Sequence, residues 1–203
     1  MKNIKTIIFD LGGVLLDLNM DKCLKAFANI GFSQFSKYID PYAQQGFFLL
    51  LEQGQITTEE FCEEIRRLSG ESTPDAAIIH ALEQFAETIP EYKLTMLATL
   101  RKQYSVFLLS NCNEITINYL KRAEFNKQGL SINDYFDRLY LSYKMGCTKP
   151  DPLIFKKLIA DSNIDPKETL FLDDGQANIL AASKLGFQTY LVKAKEDFRH
   201  LFF

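Results

Sequence analysis

The sequence has little of what most metal and redox centres use. It holds two histidines and four cysteines in 203 residues. Cys23, Cys62, Cys112 and Cys147 form no CxxC pair and show no zinc-like spacing with His80 or His200. That excludes a zinc finger or dithiol centre and points to reduced thiols in a cytoplasmic protein. No apolar run is long enough to cross a bilayer, and no charged segment followed by an apolar one opens the chain, so neither a membrane span nor a leader is expected. Lys and Arg do not cluster. A net charge of -3 and a pI near 5.5 argue against a nucleic-acid surface. Repeats, low-complexity tracts and long polar linkers are also missing.

What is present is a series of short apolar runs that end on polar residues. The first is Thr6-Ile7-Ile8-Phe9-Asp10-Leu11-Gly12-Gly13. A run this short, rich in β-branched residues and stopped by Gly-Gly, predicts a strand buried on both faces, in the middle of a parallel sheet. The same pattern recurs at Ser105–Asn111, Arg138–Ser142, Thr169–Asp174 and Phe187–Val192, with helical periodicity between the runs. Alternating strands and helices predict an α/β fold, a doubly wound parallel sheet. From Met20 to about Ile89 the pattern is helical throughout, interrupted at Pro41. That is too long for a crossover, so a helical subdomain is expected after the first strand. Within it Thr57 with Glu60 has capping-box spacing, Thr73 is expected to cap the next helix, and Phe85 and Ala86 still fall at that helix's spacing. A last helix is expected from Lys195. The expected division is a core of residues 1–16 and 90–203 and an all-α cap of 17–89, with hinges near Leu16-Asp17 and Ile89-Pro90.

In open parallel sheets ligands bind beyond the carboxyl ends of the strands. Three strand ends carry polar residues here: Asp10, then Ser110-Asn111, then Asp173-Asp174. Lys149 stands in a loop, Thr148-Lys149-Pro150-Asp151-Pro152. Three carboxylates converging on one edge repel one another, and a hard cation such as Mg²⁺ resolves that repulsion. Metal, ammonium and hydroxyl around one carboxylate make a phosphate site with that carboxylate as nucleophile.

These motifs resemble the haloacid dehalogenase superfamily of phosphotransferases over almost the whole chain. Phe9-Asp10-Leu11-Gly12-Gly13-Val14 matches its first motif and Leu108-Leu109-Ser110-Asn111 its second. Lys149 matches the third, and Phe171-Leu172-Asp173-Asp174-Gly175-Gln176-Ala177-Asn178 the fourth. Lys149 to Val192 is similar to the N-terminal phosphatase domain of soluble epoxide hydrolases and to small bacterial sugar-phosphate phosphatases. The inserted helices, including Leu51-Glu52-Gln53-Gly54-Gln55-Ile56-Thr57, resemble that branch's cap. The resemblance implies a Rossmann-like core and a phosphatase. Asp10 would form an aspartyl-phosphate, and Mg²⁺ would be held by Asp10, the Gly12 carbonyl and Asp174. Asp173 would orient metal-bound water, Ser110 and the Asn111 backbone would hold phosphate oxygens, and Lys149 would neutralise charge.

One position departs from that family. Its phosphatases usually carry a second Asp two residues after the nucleophile, as general acid. Here the residue is Gly12. General acid–base help is typically worth roughly 10²–10⁴-fold. Another group or a bound water could stand in, with Asp17 a nearby candidate, and a substrate with a good leaving group needs less protonation. Two alternatives stay open, a protein that binds phosphorylated ligands without turnover and a metal-independent dehalogenase. The expected partner is a small phosphorylated metabolite, a sugar phosphate first, with no nucleic acid and no membrane; a monomer fits. Tyr38, Tyr42, Phe47 and Phe48 are expected either in the cap core or at the mouth of the pocket. Cys112 is read as filler and Lys144 as solvated.

Overall fold

The computed structural model describes residues 3–40 and 44–203. Its strands are β1 (Thr6–Phe9), β2 (Asp17–Leu18), β3 (Ala86–Thr88), β4 (Ser105–Ser110), β5 (Arg138–Leu141), β6 (Thr169–Asp173) and β7 (Gln188–Leu191). The helices are α1 (Met20–Asn29), α2 (Gly46–Glu52), α3 (Thr58–Ser69), α4 (Asp75–Glu83) and α5 (Glu91–Leu100). They continue with α6 (Glu114–Ala123), α7 (Ile132–Tyr135), α8 (Ser142–Met145), α9 (Pro152–Ser162) and α10 (Gln176–Lys184).

Five strands form one parallel sheet in the order β5-β4-β1-β6-β7. β1 lies in the centre, as a strand apolar on both faces must. Side chains alternate across it. Ile7 and Phe9 enter one apolar layer with Val106, Leu108, Leu170 and Leu172, covered by Leu94 and Leu97 of α5 and Ile117 and Leu120 of α6. Ile8 enters the other with Phe107, Leu109 and Phe171, covered by Ile154, Phe155 and Leu158 of α9 and Ile179 of α10. This is the doubly wound arrangement the sequence predicts.

Helices α1 to α4 enclose a third apolar cluster, built on Phe27, Phe35, Phe48, Phe61 and Ile65 and joined by Ile115 of α6. Phe47 and Phe48 are buried in it, and Tyr38 packs on its edge with its ring 4.5 Å from that of Phe47. Tyr42, and the interruption expected at Pro41, lie outside the described residues. The predicted capping box of α3 is present: Thr57 Oγ1 accepts from Glu60 N and Glu60 Oε2 from Thr57 N.

Three local expectations are corrected. Phe85 and Ala86 do not continue the helix before them; Ala86–Thr88 is β3, paired antiparallel with β2, so a two-stranded ribbon joins the insertion to the sheet. Thr73 does not cap α4. The helix starts at Asp75, and Thr73 Oγ1 donates instead to the Ile30 carbonyl. The segment from Lys195 onward is one 3₁₀ turn, Phe198–Leu201, because Asp197 caps it by accepting from Arg199 N while Phe198 is drawn under the sheet against Phe9.

The ribbon is anchored. Glu124, just past α6, accepts from Ile89 N (2.5 Å) and Thr88 Oγ1 (3.2 Å). Buried Lys93 donates from α5 to the Val14 carbonyl at 2.7 Å.

Candidate active site

The order β4-β1-β6 places the ends of three strands side by side, with Asp10 in the middle. Asp10 follows the last residue of β1, Ser110 ends β4, and Asp173 ends β6. Lys149 reaches them from the loop between α8 and α9. Its ammonium lies 2.7 Å from Asp10 Oδ1 and 2.7 Å from Asp173 Oδ2, and donates to the Leu109 carbonyl at 3.1 Å. All of its donors are therefore used, and Lys149 is only 3% exposed.

The loop of Lys149 is braced by Asn111. Asn111 Oδ1 accepts from Lys149 N (2.7 Å), and Asn111 Nδ2 donates to Lys149 O (2.9 Å). The Asn111 side chain is thus committed to positioning the lysine. Asp173 is likewise committed: Oδ1 accepts from Gly175 N (2.7 Å) and Asn178 Nδ2 (2.9 Å), while Oδ2 takes Lys149. Asp10 is different. Its Oδ1 is held by Lys149 and by Leu11 N at 2.7 Å, whereas Oδ2 has no hydrogen-bond partner among the described residues.

Asp10 opens onto a cavity of about 290 Å³, also lined by Gly12, Glu52, Ser110, Asn111, Lys149 and Asp174. Asp174 reaches it because Gly13 has no side chain and turns with φ +72°. Oxygens of Asp10, Asp173 and Asp174 lie within 4.8 Å of one another. One ammonium faces three carboxylates. Burial, opposed by Lys149 and reinforced by Asp173, pushes the Asp10 carboxyl upward, and burial with Asp173 moves Asp174 up to about 6. Burial disfavours the Lys149 charge, but Asp10 and Asp173 outweigh it and hold the ammonium above the ordinary lysine range. The donor set is oxygen-rich with excess negative charge, which fits a hard divalent cation and not a soft one.

The remaining expectations divide. Asp17 does not line the cavity; its carboxylate turns to Lys93, 3.9 Å away. At position 12 a β-carbon would meet Leu18 Cδ1 at 3.1 Å, so β2 fills the space beside Gly12. Cys112 is a buried thiol whose ionisation burial disfavours, which suits filler. Lys144 is exposed, its ammonium 5.8 Å from the Tyr143 ring. Sequence reasoning passed over two cavity residues. Asn178 closes the stretch that matches the fourth motif, but nothing in the sequence gave it a role. Glu52 stood in the cap-like stretch Leu51–Thr57, as the single charge closing the apolar run Phe47–Leu51, with no role assigned.

Residues 4–186 match the model of the haloacid dehalogenase-like hydrolase family. A D-ribitol-5-phosphate phosphatase of Bacteroides thetaiotaomicron is 40% identical over 196 residues, covering 97% of this chain and 95% of that protein. The crystal structure of a family enzyme from B. thetaiotaomicron, the wild-type protein in complex with magnesium and inorganic phosphate, superposes with a TM-score of 0.94 at 42% identity, covering 98% of this chain and 100% of that one. A bifunctional epoxide hydrolase of Rattus norvegicus is 27% identical over 158 residues, 70% of this chain and 27% of that protein. The chain belongs to the haloacid dehalogenase-like hydrolase family.

Proposed function

We propose that this protein is a Mg²⁺-dependent phosphatase that releases phosphate from a small phosphorylated metabolite, a sugar or sugar-alcohol phosphate, through a phosphoryl group carried on Asp10. The observation that carries this reading is the asymmetry of Asp10: one oxygen is clamped by Lys149 and Leu11 N, and the other opens into the cavity. A nucleophile needs that combination of fixed direction and a free lone pair.

The roles follow from position. Asp10 Oδ2 attacks phosphorus. The Ser110 hydroxyl and the Asn111 backbone face the phosphate oxygens, and the Asn111 side chain fixes the lysine loop. Lys149 balances the charge of Asp10 before attack and of the phosphoryl oxygens during transfer. Asp10, the Gly12 carbonyl and Asp174 would hold the metal. Asp173, saturated with protein donors, would act from behind by orienting Lys149 and metal-bound water. Bound Mg²⁺ supplies positive charge that neutralises the carboxylates and the transferring phosphoryl oxygens.

Residues 17–89 act in this reading as the cap over residues 1–16 and 90–203, shutting a cavity sized for a metabolite and not for a phosphoprotein. No helix among the described residues is long and apolar enough to cross a membrane. In this reading the four buried free cysteines fit a cytoplasmic protein, and its partner is the metabolite alone. The relative named for D-ribitol 5-phosphate makes a pentitol phosphate the first substrate to try. Gly12 keeps the rival reading in view, a protein that binds phosphorylated ligands without turnover. A dehalogenase, needing no metal, leaves the carboxylate cluster unexplained.

The test is phosphate release from p-nitrophenyl phosphate and from a panel of sugar and polyol phosphates, with Mg²⁺ or with EDTA. Release that requires Mg²⁺ and vanishes in Asp10→Asn is the expected result. Tight ligand binding without release would establish the rival.

A further inference from the structure

Helix α2 is apolar from Phe47 to Leu51 and ends on Glu52. Glu52 is 6% exposed, yet its carboxyl makes no hydrogen bond or ion pair with any described residue. A buried carboxyl without partners is costly, and this one lines the same cavity as Asp10, Ser110 and Lys149. Its place is fixed by the backbone. The Glu52 carbonyl accepts from Ser142 Oγ at 2.6 Å, and the same hydroxyl accepts from Cys112 N at 2.9 Å, one residue beyond Asn111. Two residues on, Gly54 packs so closely on the Tyr143 carbonyl that a β-carbon there would lie 2.0 Å from its oxygen. The end of α2 is therefore docked on the core beside the end of β4.

The groups facing Glu52 are few. Lys149 is the charge that acts on it, the Cys112 thiol is its neutral neighbour, and Asp10 and Asp174 stand elsewhere on the cavity wall. Burial outweighs the pull of Lys149 and moves the Glu52 carboxyl up to about 8. At neutral pH it keeps its proton. Position 12, meanwhile, offers no carboxyl, and Leu18 occupies the space beside it.

We propose that Glu52 is the proton donor to the leaving oxygen, supplying from α2 what a carboxyl at position 12 would supply from the core. The proposal rests on the phosphatase reading above. As the bond from Asp10 Oδ2 to phosphorus forms, the ester P–O bond breaks and its electron pair goes to the ester oxygen. That oxygen takes the Glu52 proton and leaves as an alcohol. In the second step the Glu52 carboxylate takes a proton from water while the water oxygen bonds phosphorus. The Asp10–phosphorus bond breaks, its electron pair returning to the Asp10 carboxylate, and inorganic phosphate is released. The substrate class follows: esters of alcohols, which leave poorly as alkoxides, need this donor, and aryl phosphates do not.

The experiment compares two esters on the same Mg²⁺-loaded preparation, D-ribitol 5-phosphate and p-nitrophenyl phosphate. Glu52→Gln should lower kcat/KM for the alkyl ester about 10²–10⁴-fold and leave the aryl ester within about tenfold of wild type. In the wild type, kcat for the alkyl ester should fall as pH rises through about 8, and this limb should be absent in Glu52→Gln. The ratio of the two esters is independent of the folded fraction. If Glu52→Gln proves insoluble, Glu52→Asp should show a smaller loss, again confined to the alkyl ester. Equal losses on both esters, a change in KM alone, or an unchanged alkaline limb would overturn the proposal. A wild-type protein that releases phosphate from neither ester would instead bring down the phosphatase reading, and the donor role with it.

Discussion

Gly13 and Asp174 occupy adjoining space so closely that a β-carbon on Gly13 would lie 2.1 Å from Asp174 Oδ2. The bareness of Gly13 is what lets the Asp174 carboxylate lean over the loop that follows β1. Gly13→Ala should displace Asp174 and also carry the strain of φ +72°, about 1 kcal/mol. Loss of a metal contact of this kind is worth several kcal/mol of transition-state stabilisation. The expected outcome is a fall in kcat/KM of about 10²-fold or more and loss of the rise in Tm that Mg²⁺ gives the wild type. Thermal unfolding with and without Mg²⁺, beside the phosphate assay, checks both.

Lys149 is the counter-charge of two buried carboxylates. Removing one partner of a buried ion pair strands the other, at about 3–5 kcal/mol. Lys149→Met should therefore destabilise the metal-free protein by about that amount, read as a shift of the urea midpoint. Activity should fall about 10²–10³-fold, because the positive charge that balances Asp10 and the transferring phosphoryl oxygens is lost. Mg²⁺ should recover more stability in this variant than in the wild type.

Asp174 makes a pH prediction for the metal-free protein. Its carboxyl is raised from 3.8 to about 6, so between those values the native state binds more protons than the unfolded chain. Stability then falls as pH rises. The contribution is fully present below about 3.8 and lost as pH passes about 6. The difference in Tm between Asp174→Asn and the wild type should accordingly grow in favour of the variant from pH 4 to pH 7, the range about those two values. Mg²⁺ should cancel that trend in the wild type only. A difference independent of pH would count against the assignment.

Glu124 holds the ribbon from outside the site. Glu124→Ala leaves the Ile89 N–H buried without an acceptor, at about 1–3 kcal/mol. Lower Tm with kcat within a few-fold of wild type is expected, since no contact of Glu124 reaches the cavity. A large change in kcat with unchanged Tm would show that the ribbon does more than hold the insertion.

Much of this molecule was legible in its sequence because each signal was local. Ile7-Ile8-Phe9 between polar ends could only be a strand apolar on both faces, and Thr57 with Glu60 marked a helix start. The site followed from topology: Asp10, Ser110 and Asp173 are each the last word of an apolar run, and a parallel sheet brings such ends together. What escaped was either too short or set by tertiary contact. Asp17–Leu18 and Ala86–Thr88 are too brief to show a period of two, and Phe85-Ala86 sat at helical spacing by accident. Thr73 had a capping sequence but found the Ile30 carbonyl from another helix. Glu52 looked like the polar end of a cap helix, and only the docking of α2 on Ser142 and Tyr143 turns it into the cavity.

The central claim is that Asp10 itself carries the phosphoryl group. Acid-quenched samples taken during turnover with Mg²⁺, digested and weighed by mass spectrometry, test it directly. The account predicts one added phosphoryl group on the peptide containing Asp10, present with substrate and Mg²⁺ and absent with EDTA or in Asp10→Asn. Phosphate release at full rate with no label on that peptide, or with the label on another residue, would contradict it.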